Sequence, residues 1–455
     1  MLPKAITDYL RAHREQRVEK YKEFLRIPSV SAAPGDACDK AAAWVADHLR
    51  SLEFDVSIMP TGGHPNVLAR RMTNPSAPTL LIYGHYDVQP PDPLDQWLTP
   101  PFEPTVRDGR MAARGANDDK GQFFAHLMAL EAWQKAGGGL PLNVKVFAEG
   151  DEEIGSPTLE PFIREYRRDL AADAVVVSDS EWFAEDIPSI TTGLRGVCYF
   201  EMILQAITQD VHSGIHGGAV ANPINALARI VAGMHDADGR ITLPEFYDDV
   251  RAVSDSERAA WSQLPLDEAA YAAALGTTVL GGGEKNVPLL QRLWARPTLD
   301  CNGIVGGYIG AGSKTIIPAS ARVKITLRLV PDQQPEKVER SVRDYVARHT
   351  PAGMTARVAD FHGTRGVVFN TDTPAMRAAL RAYREGFGRE PVFIRCGASV
   401  PVTELFQRLL GVEPVMMAFC LPADGLHGPN ESFKLSHLYG GSVTAAAFIA
   451  ELAGK

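Results

Sequence analysis

The sequence predicts an α/β protein: a mixed, mostly parallel sheet flanked by helices, interrupted by an inserted α+β domain. Three observations point to this. Short apolar, β-branched runs alternate with amphipathic helical stretches up to about residue 191; a strand-rich character then takes over; and the first character returns at Thr373. At 455 residues the chain exceeds one ordinary core. The expected division is therefore 1–194 and 371–455 as two parts of one domain, with 195–370 inserted between them.

The elements follow in order. Ile6 to Leu25 and Ala41 to Leu52 place apolar residues at helical spacing. Asn66 to Arg70 and Thr79 to Tyr83 read as strands, and Gln122 to Trp133 as an amphipathic helix behind the acidic turn Asp118–Asp119. Val144 to Ala148 and Ala174 to Val177 are β-branched strands, so a largely parallel sheet covered by helices is expected. In the inserted block Val197 to Leu204 reads as a strand, Pro223 to Met234 as a helix and 235–300 as irregular. Ala321 to Leu329 alternates polar and apolar residues as a half-exposed strand does, and Glu336 to His349 is helical. Thr373 to Phe387 (helix), Val415 to Cys420 (strand) and Leu438 to Leu452 (helix) complete the first domain.

Composition narrows the function. The net charge is −9 with no basic stripe, which argues against nucleic acid and anionic membrane as partners. Five scattered cysteines without a CxxC pair suit neither a disulfide framework nor a thiolate zinc site. The N-terminal stretch is charged throughout, unlike a signal peptide, and no run approaches the ~18 apolar residues of a membrane span. A cytoplasmic protein is expected.

The chemistry lies in five turns: GHYDV with His85, NDDKG with Asp118, EGDEE with Glu152 and Glu153, SDSEW with Asp179 and LHGPNE with His427. Three of them directly follow apolar runs that read as buried strands, and open α/β sheets bind ligands beyond the carboxyl ends of their strands. Two imidazoles and three carboxylates without a thiolate suit Zn²⁺, Mn²⁺ or Co²⁺. Five donors exceed what one catalytic zinc needs and suit two ions ~3.5–4 Å apart that share a carboxylate. Glu152 adjoins Glu153, so one of the pair can hold metal while the other takes a proton, and Asp87 is placed to buttress His85. The expected chemistry is metal-dependent hydrolysis.

These turns, with DVHSGIHGG and RLVPDQ, resemble the M20 family of dinuclear metallopeptidases, in particular its carnosinase-like branch of bacterial cytosolic dipeptidases; the motifs run in order from residue 84 to 431. The resemblance implies a zinc-peptidase-like catalytic domain and an inserted lid through which two copies dimerise. It implies two divalent ions, Zn²⁺ ahead of Mn²⁺ or Co²⁺, one held by His85, Asp118 and Asp179 and the other by Asp118, Glu153 and His427. Glu152 would be the general base and Asp87 the orienting residue, with a cis peptide after Asp118. His212 would reach the partner subunit's site and steady the oxyanion, and Arg328 would pair with the substrate's carboxylate. His362, Ser399 and Asn302 fall where substrate contacts are expected. Within the resembled family an Asp at position 179 implies a dipeptidase, cleaving a small peptide by attack of a metal-bridging hydroxide.

Two readings stay open beside it: an N-acyl amino acid amidohydrolase, desuccinylase or carboxypeptidase of the same architecture, and a non-catalytic peptide-binding protein. Two motifs fail. GGYIGAGSKT is no phosphate loop, because Ser313 separates Gly312 from Lys314, and NES at Asn430 is a glycosylation triplet only in form.

Overall fold

The computed structural model describes residues 2–454. Two compact units emerge. Residues up to Thr192, Phe369–Ile394 and residues from Val400 onward form the first; Gly193–Val368 with Arg395–Ser399 form the second.

The sheet of the first unit runs in the order Asp55–Met59, Asn66–Arg71, Asn143–Glu149, Thr79–His85, Ala174–Val177, Pro414–Met417 and the start of Ser189–Leu194. Only its middle is parallel, from Asn143–Glu149 to Pro414–Met417. Both flanks are antiparallel, which corrects the expectation of a largely parallel sheet. The physical reason at one flank is connection length: residues 60–65 join two neighbouring strands and are too few to cross over the sheet. The middle strands Thr79–His85 and Asn143–Glu149 are buried on both faces, as expected for parallel strands covered by helices.

Helices Lys120–Ala136 and Leu435–Leu452 pack in this core, and both are buried over most of their length. The Trp133 indole donates to the Ala446 carbonyl across them at 3.0 Å. Two glycines permit close approach. A Cβ at Gly84 would lie 2.5 Å from the Phe123 ring, and one at Gly121 would lie 2.0 Å from the Ala116 carbonyl oxygen. The approach at Gly84 holds the strand ending in His85 against the helix that follows Asp118.

The second unit is a four-stranded antiparallel sheet, ordered Thr298–Gly306, Ser320–Leu329, Gly196–Gln205, Thr355–Gly363. Alternate residues of Ser320–Leu329 are buried, and Val323, Ile325 and Leu327 join a core with Leu227, Ile230, Val342 and Val346. Residues 235–300, expected to be irregular, contain helices Asp255–Trp261, Glu268–Ala274 and Leu289–Ala295. At seven residues each, they are too short for an apolar period to show. Caps support two of them: Ser254 and Glu257 form a capping box, and Asp267 accepts from Ala269 and Ala270.

One buried histidine of the first unit has a consequence for stability. His48 stacks on Trp44 with its Nε2 unpartnered, and burial pushes its pKa down to about 4. The unfolded chain, titrating near ~6.5, binds more protons between these values. Its contribution is therefore complete above pH ~6.5 and is lost as pH falls through that window, by up to about 1.4 kcal/mol per pH unit. His48→Leu is expected to flatten the fall of Tm between about pH 6.5 and 4.5; slopes equal to wild type would remove this assignment.

Candidate metal centre

Parallel strands bring their carboxyl ends to one edge, and this edge collects the ionisable turns. His85 ends its strand paired with Glu149, whose chain continues into the 3-10 turn Glu152–Ile154. Asp179 lies two residues beyond Ala174–Val177. Asp118 precedes the helix Lys120–Ala136, whose N-cap is Asp119 and not Asp118. The Asp118–Asp119 peptide is cis.

These side chains converge on Asp118. Its Oδ1 lies 3.1 Å from His85 Nε2 and its Oδ2 lies 3.0 Å from His427 Nε2. His427 Nε2 also lies 3.3 Å from Glu153 Oε2. Two groups of donor atoms result, His85–Asp118–Asp179 and Asp118–Glu153–His427, with the atoms of each group within 4.8 Å of one another. A single carboxylate therefore belongs to both, one oxygen facing each imidazole.

Supporting bonds fix these donors. His85 Nδ1 lies 3.1 Å from the Asp87 carbonyl oxygen and 3.3 Å from its Oδ1, which places the ring proton there and leaves Nε2 as the donor atom. Asp87 is fully buried, and its carboxylate also accepts from the backbone N–H of Glu152 at 3.3 Å and of Glu153 at 3.0 Å. One buried acid thus orients an imidazole and anchors the turn bearing both glutamates.

The electrostatics call for cations. Among the described residues, no lysine or arginine forms an ion pair with Asp118, Glu152, Glu153 or Asp179; only imidazoles do so. Burial pushes Asp179 up to about 7, with the negative charge of Asp118 adding to it, and burial raises Glu152 well above the carboxylate range. The bond to Asp118, then that to Glu153, pushes His427 up to about 10. At Asp118 burial acts upward, but the bonds from His427 and His85 outweigh it and hold the carboxyl well below its ordinary value. Clustered acid oxygens and imidazole nitrogens, short of positive charge, fit two divalent ions of intermediate softness.

The other expected residues belong to the second unit. Arg328 Nη1 donates to Ser399 Oγ at 3.1 Å. His212 is exposed, and its Nδ1 accepts from Gly214 N at 3.0 Å, so the neutral ring carries its proton on Nε2. His362 Nδ1 lies 2.9 Å from the Asp360 carbonyl, and its ring packs near Tyr199. Asn302 accepts from the Thr326 hydroxyl.

Sequence reasoning missed four supporting residues. Fully buried Glu431 accepts from the backbone N–H of Gly115, Asn117 and Asp118 at 2.9, 2.9 and 3.1 Å, and from Arg114 Nη1 at 2.7 Å. Arg114 Nη2 in turn donates to the His427 carbonyl at 3.0 Å, where the backbone takes a left-handed φ of 59°. Gln89 donates to both oxygens of Glu153, at 3.1 and 2.8 Å. Asp119 Oδ2 accepts from the backbone N–H of His85 at 3.2 Å. Glu431 closes LHGPNE, the motif in which only His427 drew attention. Glu431→Ala leaves Arg114 charged and buried, and is expected to cost about 3–5 kcal/mol of stability. Glu431→Gln keeps an acceptor and should cost less; equal Tm for wild type and the Ala variant would refute the clamp.

Comparison with known proteins agrees with this geometry. The model of peptidase family M20/M25/M40 matches residues 81–451. The Beta-Ala-His dipeptidase of Rattus norvegicus is 31% identical over 468 residues, covering 98% of this chain and 94% of the relative. The Cys-Gly metallodipeptidase DUG1 of Schizosaccharomyces pombe is 34% identical over 459 residues, covering 97% and 96%. The crystal structure of an M20 family metallo-carboxypeptidase, Sso-CP2 from Sulfolobus solfataricus, superposes with a TM-score of 0.86 at 32% identity, covering 96% of this chain and 99% of that one. Family model, relatives and the shared-carboxylate centre agree: the chain belongs to peptidase family M20/M25/M40 and is a metallopeptidase.

Proposed function

We propose that the protein hydrolyses the amide bond of dipeptides. The observation that carries this is Asp118, whose two oxygens serve two separate donor groups. His85, Asp118 and Asp179 would hold one ion, and Asp118, Glu153 and His427 the other. Zn²⁺ suits these donors best, with Mn²⁺ and Co²⁺ compatible. Bound ions would supply Lewis-acid polarisation of the scissile carbonyl and acidify a water.

The chain's own residues supply the remainder. Glu152 takes the proton of the attacking water and returns it to the leaving amine. Its place beside Glu153, on a turn anchored by Asp87, supports that role. Asp87 keeps His85 in the tautomer that presents Nε2. Arg328, steadied by Ser399, receives the substrate's carboxylate. His212, with its proton on Nε2, would donate to the oxyanion from a partner subunit. His362 and Asn302 would line the substrate. The second unit would act as lid and dimerisation domain, and the protein would work in the cytoplasm as a homodimer without nucleic acid or membrane.

Two relatives named as dipeptidases favour this substrate class, whereas the similar Sulfolobus structure is a carboxypeptidase. Metal analysis with a substrate panel separates the two. About two ions per chain are expected, with cleavage of free dipeptides and little of N-blocked dipeptides or N-acyl amino acids. Preference for N-blocked peptides gives the carboxypeptidase reading, preference for N-acyl amino acids gives the amidohydrolase reading, and binding without metal-dependent cleavage removes enzymatic function.

A further inference from the structure

Glu153 and His427 are the donors that belong to the second group alone. One segment of the first unit, Gln89 to Pro101, is bonded beside both. At its start Gln89 donates to Glu153, from its backbone N–H at 3.1 Å and from its side-chain amide at 2.8 Å. Next, the Pro90 carbonyl accepts from Arg114 Nη2 at 3.2 Å, and the same nitrogen donates to the His427 carbonyl. Further along, the Asn430 amide brackets the segment. Its Nδ2 donates to the Gln96 carbonyl at 2.8 Å, and its Oδ1 accepts from the Leu98 N–H at 2.7 Å. The two partners flank one residue, so this side chain pairs with the segment as one residue of a neighbouring parallel strand does.

The segment is built as a strap. Pro90, Pro91, Pro93, Pro100 and Pro101 fix their own φ angles, so it keeps its shape with few hydrogen bonds. Trp97 folds back within it: the indole donates to the Pro91 carbonyl at 2.6 Å, and the Arg114 guanidinium lies 5.5 Å from the ring centre. The turn of His427 is built differently. It joins the 3-10 turn Pro422–Asp424 to the strand Ser432–Lys434, and both His427 and Asn430 take a left-handed φ, 59° and 62°. No helix or sheet ladder runs through such a turn, so contacts from outside set where His427 points. His85, in the first group, takes its support from Asp87 and Asp119 instead.

We propose that Asn430 is a positioning residue for the second ion alone. It fixes the turn of His427 to a pre-shaped strap that also holds Glu153, and so sets the separation of these two donors, 3.3 Å between Nε2 and Oε2. The assignment rests on the two-ion reading of the centre and adds to it that the two ions answer to different supports. In the sequence Asn430 stood out only through the triplet NES; in the fold both ends of its amide are engaged by backbone.

Stepwise removal of Zn²⁺ from the zinc-loaded enzyme by a chelating dye tests this. Asn430→Gly removes the amide at a half-buried position and keeps the left-handed backbone, which glycine adopts without strain, so folding is not at stake. It is expected to weaken one ion at least about fivefold, the effect of losing two neutral hydrogen bonds, and to leave the other within about twofold. On a His427→Ala background the same change should not affect the remaining ion, whereas on a His85→Ala background it should weaken the remaining ion as it does in the wild type. A merely structural role would loosen both ions together. Equal weakening of both, unchanged affinity of both, or selective weakening of the ion that His85→Ala weakens overturns the proposal. Wild-type enzyme that holds only one ion when loaded removes the two-ion reading instead, so the two failures are distinguishable.

Discussion

Glu152→Gln is expected to lower kcat by about 10²–10⁴-fold, the usual contribution of a general acid–base group, while about two divalent ions remain bound per chain. The amide keeps the size of the side chain but neither accepts nor returns a proton. The donor groups His85–Asp118–Asp179 and Asp118–Glu153–His427 omit Glu152, so metal content should be untouched. Turnover and metal analysis on the same preparation check this. A kcat within about tenfold of wild type would move the proton transfer to another group.

Asp118→Ala is expected to have a still broader effect, because one carboxylate serves both groups. Its removal should abolish activity and take bound metal from about two ions per chain to below one. His85→Ala and His427→Ala each remove one donor from one group and should each weaken one ion preferentially. Their comparison with Asp118→Ala isolates the sharing. Retention of both ions in the Asp118→Ala variant would show that the two sites are independent.

The legibility of this centre follows from which interactions leave a local signature. His85, Asp118, Glu153, Asp179 and His427 stand in short turns, three of them behind apolar strands, and their order along the chain resembles one family. Glu431 leaves no such mark: its partners are backbone N–H groups more than 300 positions away, with |i−j| of 313 to 316. The same holds for Gln89, whose amide acts on a carboxylate 64 positions later. At the level of the fold, strand direction at the sheet's flanks depends on connection length and pairing, to which apolar periodicity is blind. The three short helices between 255 and 295 were hidden for a related reason, since two turns of helix do not establish a repeat. Asp119 was read as part of an acidic turn, yet its carboxylate reaches back to the backbone of His85, a contact made only when strand and helix are packed.

The placement of His427 has a consequence for synthesis. Its fellow donors lie in the first 179 residues, but it follows them by almost 250 more. A nascent chain emerging from the ribosome can shape the strands around His85 early, yet it lacks the last imidazole, and the helix Leu435–Leu452 that packs in the core, until those residues have been made. Fragments that end before His427 should therefore carry an exposed hydrophobic face and an incomplete donor set.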